Sequence, residues 1–433
     1  MIKYFNEMSQ GNKILVGMIL GFIVGLILNL FVSDPFIKNV VLIDNVFYLG
    51  GTLFIRLMKM LVVPLVFFSI AVGVASISDV KKIGTIGGRT IFIYILTTIV
   101  AVTIALFIGS LIQPGAGLNL TYTGQTSNIT ANQTITDTIV NIIPENPFAS
   151  LANGDMLSVI IFALLIGIIL AKLKSELPVV ESFFTQGNKI MMEMTNIVMK
   201  FAPIGVFCLM GKTFGGLGLD GLLPLGKYII CVLIGLAIQA FMVYPSLMIL
   251  FTRLNPIRFF KRFYMVMLFA FSSSTSNATI PLNLEKLEEM GVSRDVSSFT
   301  IPLGATINMD GTAIMQGVAV MFAAQAYGMD LGTTALLTVV ITAVMASIGT
   351  AGVPSVGLVT LTMVFNSVGL PVEAIGMIFG IDHILDMFRT AVNITGDAIC
   401  TIIVSFKNKS LDVNIFNGKK QPDIQEHVKF PEL

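Results

Sequence analysis

Runs of about 20 mainly apolar residues recur along the chain, each long enough to cross the hydrocarbon core of a bilayer. Residues 14–32 form the first, 46–77 a longer second with Pro64 inside it, and 91–112 a third. Residues 157–173, 181–210 and 228–251 supply three more. In lipid every backbone donor and acceptor must be satisfied within the chain, so these runs predict membrane-spanning helices. Composition agrees. Of 433 residues, 55% are hydrophobic and 12% charged, against about 25% charged in ordinary soluble domains. Lys and Arg number 26 and Asp and Glu 25, a formal charge of +1 that excludes nucleic-acid binding by bulk charge. Cys208, Cys231 and Cys400, with only His383 and His427 as histidines, suit neither a disulfide framework nor a His-based metal site. Residues 1–13 are largely polar and the run after them lacks a small-residue cleavage motif, so no cleavable signal peptide is expected.

Basic residues set the orientation. Residues 113–150 contain no Lys or Arg and are placed outside. Lys81, Lys82 and Arg89 mark one inside loop, and Arg253, Arg258, Lys261 and Arg262 another. The tail with Lys407, Lys409, Lys419 and Lys420 is inside too. The expectation is a multi-pass protein of the plasma (cell inner) membrane with both termini cytoplasmic.

The second half of the chain differs. Residues 265–281 are apolar but interrupted by Ser272-Ser273-Ser274-Thr275-Ser276-Asn277 and then Pro281. Residues 300–325 contain Asn308-Met309-Asp310-Gly311-Thr312 where a helix centre should be, and 334–365 are broken between Ser347 and Ser355. Residues 373–406 carry Asp382, Asp386, Arg389, Asn393 and Asp397. Freed backbone groups cannot face lipid, so such breaks lie in protein or line a wet cavity. Two interrupted segments, each followed by a polar helix, read as a duplicated unit, and paired breaks point to a transporter binding site near the midplane.

Asp386, Arg389, Thr390, Asn393 and Asp397 fall at i, i+3, i+4, i+7 and i+11, within about 60° either side of one line on a helix. A lipid-facing stripe of that kind would cost several kcal/mol per charge, so it faces the interior. The competing reading is a salt bridge between Asp386 and Arg389 that merely holds helices together. Two carboxylates to one arginine leave a spare negative charge for a cation, and the guanidinium fork suits a substrate carboxylate. Glycine beside Asn308 and Asp310 unwinds a helix and exposes carbonyls, which with a carboxylate make a hard oxygen cage for an alkali cation. The same pattern also describes a turn. Serine-rich and glycine-rich hairpin tips would bring backbone amides to an anionic ligand, although a Ser-rich tract equally describes helix packing through small residues. No nucleophile–base pair is visible, so an enzyme is not expected.

Along its whole length the chain resembles the dicarboxylate/amino acid:cation symporter family, which includes the glutamate transporters. The resemblance rests on four stretches in order: Ser272 to Pro281, Asn308 to Thr312, Ser347 to Pro354, and Asp386-Met387-Phe388-Arg389-Thr390 through Asn393 to Asp397. It implies an all-α membrane fold of eight transmembrane helices and two re-entrant helical hairpins with inverted repeats, assembled as a homotrimer and working as an elevator. Residues 1–78 and 151–212 would be scaffold helices, and 114–150 an extracellular loop. The third span (86–113), sixth span (226–254), first hairpin (257–292), broken seventh helix (294–327), second hairpin (332–368) and eighth helix (372–406) would form the moving transport domain, with 407–433 a cytoplasmic tail.

By the same resemblance Arg389 would bind a substrate side-chain carboxylate and Asp386 its amino group. Ser276, Thr312, Val353, Gly357, Thr390 and Asn393 would complete the pocket. One sodium site would use Gly304, Asn308, Asn393 and Asp397, and a second Thr306, Ser347, Ile348 and Thr350. A third would use Tyr94, Thr97 and Thr98 with Asn308 and Asp310. The expected function is sodium-coupled uptake of glutamate or aspartate; a C4-dicarboxylate or neutral amino acid symporter, proton-coupled in some cases, would use the same fold. Ser274 and Met387 stand where family members usually carry another arginine, and Ser355 where a glycine is expected. The arginine positions bear on affinity for acidic substrates and on potassium counter-transport.

Overall fold

The computed structural model describes residues 10–32, 34, 36–76, 84–118, 120, 143–154, 156–173, 176–348 and 356–420. Among them it is all helix; the only extended pairing is an isolated antiparallel bridge, Val292 with Leu411. Five helical stretches are long and apolar enough to cross a membrane, and six if one bent pair counts as a single span. Large apolar side chains such as Ile19, Ile23, Ile27, Phe92, Phe107, Ile230 and Phe241 point outward. In a chain this apolar they form the surface a bilayer would cover.

The first helix, α1 (Gln10–Phe31), carries glycines 17, 21 and 25 one turn apart. That stripe lets it press on a later helix, Ala202–Leu217. A Cβ added at Gly21 would lie 2.4 Å from the Phe207 carbonyl oxygen, so only glycine permits the approach. A wide π-helical stretch, Phe36–Phe47, leads into α2 (Tyr48–Ser76), which keeps Pro64 inside it. The expected second span therefore starts upstream of residue 46. The Asp34 carboxylate caps the start of that stretch by accepting from the Phe36 N–H at 2.8 Å. Then comes α3 (Gly84–Ile112).

A short helix, α4 (Pro147–Asn153), begins inside the stretch expected as loop, because Asn146 accepts from the N–H groups of Phe148 and Ala149 at its start. α5 (Met156–Lys172) has 17 residues, about 25 Å at 1.5 Å per residue, short of a hydrocarbon core of about 30 Å. The single span expected over 181–210 is two helices, α6 (Pro178–Lys200) and α7 (Ala202–Leu217), bent by 52°. Pro203 at the start of α7 lacks an N–H and cannot continue the α6 ladder.

Next, α8 (Leu222–Ile238) runs through a π turn (Gln239–Val243) into α9 (Tyr244–Thr252). The Tyr244 N–H reaches back five residues to the Gln239 carbonyl, directly before Pro245, which has no N–H to give. The first interrupted segment is α10 (Pro256–Ser273) and α11 (Ser276–Glu289), reversed at left-handed Ser274 (φ 50°). α12 (Arg294–Ile307) and α13 (Asp310–Ala326) flank Asn308 and Met309, which leave helical geometry. α14 (Thr333–Ser347) ends at extended Ile348, and α15 (Val356–Ser367) follows. The 34-residue α16 (Ala374–Lys407) and a single turn, α17 (Val413–Phe416), complete the described chain.

Two groups of helices result. α2 packs on α5, α6 and α7, and α1 on α7, while α3 packs on α8, α13, α14 and α16. α16 lies at the centre of the second group, touching α8, α9, α10, α11, α12 and α13. The groups meet where α15 contacts α2 and α5, and where α16 contacts α1 and α7.

Candidate functional site

The charged stripe of α16 does face inward. Arg389 is fully buried and donates through Nη1 to Asp382 Oδ1 and through Nη2 to Asp386 Oδ1, each at 2.6 Å. The Thr390 hydroxyl, one turn on from Asp386, donates to the Asp386 carbonyl at 2.8 Å. Asp382 Oδ2 and Arg389 Nε have no hydrogen-bond partner among the described residues. The expected pair of Asp386 and Arg389 is thus a triad. Asp382, one of the polar residues of 373–406 but given no role from the sequence, is its third member. Asp382 and Arg389 are seven residues apart, two turns of helix, so the spacing carried the signal.

Beside this triad α12 breaks into α13. Asn393 Oδ1 accepts from the Gly311 N–H at 2.7 Å, and Asn308 Nδ2 donates to Asp397 Oδ1 at 2.9 Å. These two bonds tie both sides of the break to α16. Thr97 of α3 donates to Asn308 Oδ1 at 3.3 Å and Thr98 to Asp310 Oδ1 at 2.7 Å. The Tyr94 hydroxyl donates to the Thr300 carbonyl at 3.0 Å, while the Tyr94 carbonyl accepts from both threonine hydroxyls.

Asp310 Oδ2 accepts from Gln239 at 2.9 Å and from Tyr244 at 2.8 Å. The π turn brings these residues, five apart, to one carboxylate. Neither was anticipated, although Gln239 is the one polar amide in the apolar run 228–251. Both oxygens of Asp310 are therefore occupied, whereas Asp397 Oδ2 has no hydrogen-bond partner among the described residues. Space around Asp397 is tight: a Cβ at Gly304 would lie 2.5 Å from Asp397 Oδ1 and 2.7 Å from the Tyr94 hydroxyl.

The other expected residues fall as follows. Ser347 donates to the Ile307 carbonyl at 2.5 Å and accepts from the Met309 N–H at 3.0 Å, so α14 reaches the break directly. Ile348 lies next to it in extended geometry. The Thr306 hydroxyl turns back to the Leu303 carbonyl of its own helix at 3.0 Å. Thr312 and Gly357 face each other: a Cβ at Gly357 would meet Thr312 Cγ2 at 2.9 Å and Arg389 Nη2 at 3.7 Å. Ser276 is buried at the first position of α11. Thr350 and Val353 lie outside the described residues.

Four buried carboxylates, Asp310, Asp382, Asp386 and Asp397, and one guanidinium make a formal −3 on residues at most 7% exposed. Such charge is stable only when cations or protons balance it. Among the described residues no three His, Cys, Asp or Glu side chains converge to hold a metal ion. The oxygens on offer are hydroxyl, carboxamide, freed carbonyl and single carboxylate, a hard donor set that suits an alkali cation rather than a transition metal. The unpartnered Asp397 Oδ2 fits such an ion.

Broken helices gathered around buried charge within an apolar exterior define a multi-pass membrane protein of the carrier type. Residues 11–406 match the model of the sodium:dicarboxylate symporter family. The chain belongs to that family, whose members are transporters and not enzymes. It is similar to the proton/sodium-glutamate symport protein of Bacillus caldotenax, 37% identical over 401 residues that cover 91% of this chain and 93% of the relative. The proton/glutamate-aspartate symporter of Escherichia coli (strain K12) is 34% identical over 420 residues, 92% of this chain and 93% of that one. The excitatory amino acid transporter 3 of Oryctolagus cuniculus is 30% identical over 471 residues, covering 94% and 89%.

Proposed function

We propose that this chain is a secondary active symporter of the plasma membrane that couples sodium influx to uptake of glutamate or aspartate. The observation that carries this reading is the buried Asp382–Arg389–Asp386 triad beside a helix break that holds a carboxylate with a free oxygen. A guanidinium already held by two carboxylates accepts a third carboxylate readily when one lets go, through the same planar fork. Asp386, released on one side, is left to take the substrate amino group. The rest of the pocket is assigned to Thr312, Thr390, Asn393, Ser276 and Gly357, and to Val353, which lies outside the described residues.

Sodium is assigned first to Gly304, Asn308, Asn393 and Asp397. A second site takes Thr306, Ser347, Ile348 and Thr350. A third takes Tyr94, Thr97, Thr98, Asn308 and Asp310, once the donors now on Asp310 rearrange. Bound cations would fix the break at Asn308 and let the second hairpin close over substrate. Closure with either ligand missing leaves buried groups unpaired at several kcal/mol, which couples the fluxes. Net charge moved adds about 2.3 kcal/mol per charge per 100 mV.

Movement is assigned to an elevator: 86–113 and 226–406 slide against 1–78 and 151–212, the latter held in a homotrimer with both termini cytoplasmic. The two hairpins support this by their unequal surroundings. α15 packs against α2 and α5, whereas α10 and α11 pack on each other and on α9, α12 and α16. Sliding would exchange one hairpin for the other at that boundary.

Uptake into proteoliposomes, with sodium, proton and potassium gradients imposed separately and amino acids competing, tests all of this. Uphill glutamate uptake driven by sodium is expected. Uptake driven by a proton gradient alone would transfer the coupling role to protons on the same carboxylates. Downhill flux only would make the protein a channel.

A further inference from the structure

At the foot of α10 the chain builds a second charged feature, far in character from the acidic centre. A cavity of about 470 Å³ is lined by Arg258, Lys261, Arg262, Lys419 and Lys420, together with the turn Ile415 to Gly418. No carboxylate lines it. Asp412 lies 3.9 Å from Lys420, and among the described residues Arg258, Lys261, Arg262 and Lys419 form no ion pair.

The C-terminal segment is docked here by specific bonds. Asp412 donates its N–H to the Gly291 carbonyl, and Ser293 donates to the Ser410 carbonyl. Phe416 is 1% exposed. Arg258 Nη1 donates to the Asn417 carbonyl and side chain at 2.8 and 2.9 Å, and Arg262 donates to the carbonyls of Ile415 and Glu289 at 3.1 and 2.7 Å. Every one of these acceptors is neutral. The guanidiniums are thus aimed and held, with Nε and further N–H donors left over, while their charge is not cancelled. Arg258 also sits in the first turn of an 18-residue helix, whose positive end repels a cation and attracts an anion.

We propose that this cavity binds a phosphate-bearing anion, the headgroup of an anionic phospholipid in the leaflet on that side. Four of the lining cations, Arg258, Lys261, Arg262 and Lys419, have no counter-charge among the described residues and repel one another, and one phosphate group removes most of that penalty. A lipid is favoured over free phosphate because an apolar track leaves the cavity along the same helix. Ile257, Tyr264, Met265 and Leu268, each more than half exposed, continue from the basic rim at helical spacing. Basic pockets beside spanning helices on the positive side of a membrane protein are the usual seat of such headgroups.

The test uses the full chain in a neutral detergent, with thermal unfolding followed on titration of phosphatidylglycerol, phosphatidylcholine or inorganic phosphate. Phosphatidylglycerol should raise the midpoint with saturation, and phosphatidylcholine should not. The triple variant Arg258→Gln, Lys419→Gln, Lys420→Gln should weaken the phosphatidylglycerol response by about fivefold per charge removed. Arg294→Gln, a basic residue 70% exposed and outside the cavity, serves as the control and should respond like the parent. An equal response from the triple variant overturns the site. Inorganic phosphate matching phosphatidylglycerol at equal concentration overturns the lipid assignment. Residues 421–433 include Asp423, Glu426 and Glu432. If a response is absent from the full chain and appears only in a chain ending at Lys420, the cavity belongs to that acidic tail and the proposal falls.

Discussion

Replacing Arg389 by glutamine separates the structural from the functional meaning of the triad. Arg389 is fully buried and makes bonds of 2.6 Å to Asp382 and to Asp386, which are 1% and 7% exposed. Arg389→Gln strands both carboxylates, and loss of one partner from a buried ion pair costs about 3–5 kcal/mol. Adding Asp382→Asn removes one stranded charge and should recover roughly half of that loss. The double variant is therefore the one to assay. Its substrate carboxylate would lose a charge-assisted hydrogen bond of about 1.5–3 kcal/mol, or roughly 10- to 150-fold in apparent affinity. A neutral amino acid of similar size would lose little. Competition of glutamate, aspartate and serine against labelled substrate in proteoliposomes measures this, with thermal unfolding alongside to show that the variant is folded. A folded double variant that takes up glutamate at unchanged half-saturation refutes the assignment of Arg389 to the substrate.

Three further outcomes are expected. Gly304→Ala pushes a methyl against Asp397 and Tyr94; overpacking of about 1–3 kcal/mol should raise the sodium concentration for half-maximal uptake roughly 5- to 150-fold, and an unmoved sodium curve would take Asp397 out of the cation site. Tyr244→Phe and Gln239→Leu each remove one of the two donors to Asp310 Oδ2. Each should lower stability to thermal unfolding by about 1.5–3 kcal/mol, the double change departing from their sum because the two share one oxygen. Gly21→Val should part α1 from α7 and lower the melting temperature, whereas Gly88→Ala, with nothing within 4 Å of the new Cβ, should leave it unchanged.

The amino-acid pattern revealed the site more fully than the path of the chain. Charges within an apolar run must turn inward, so the stripe from Asp386 to Asp397 was readable from spacing alone. The break at Asn308 was readable for a similar reason: an Asn-Met-Asp-Gly sequence has no business in the middle of a continuous buried helix unless its backbone is wanted. What escaped was partnership across elements. Gln239 and Tyr244 reach Asp310 only because the backbone widens before Pro245, and that slip into a π turn has no periodic signature. Boundaries failed where polar residues lie inside helices. The π-helical stretch Phe36–Phe47 holds Lys38, Asn39, Asp44 and Asn45, and looked like a connection between spans. The single span expected over 181–210 passed over Pro203, where the chain bends by 52°.

α13 carries a last lesson. From Asp310 to Ala324 its side chains are buried almost without interruption, with only Met321 partly open. A rod sheathed on all sides by its own polypeptide has no lubricated face along which to shift alone. Under the proposed elevator, α13 would ride inside its jacket as freight does inside a sealed wagon, and ions and solute bound at its broken end would cross the membrane without ever touching oil.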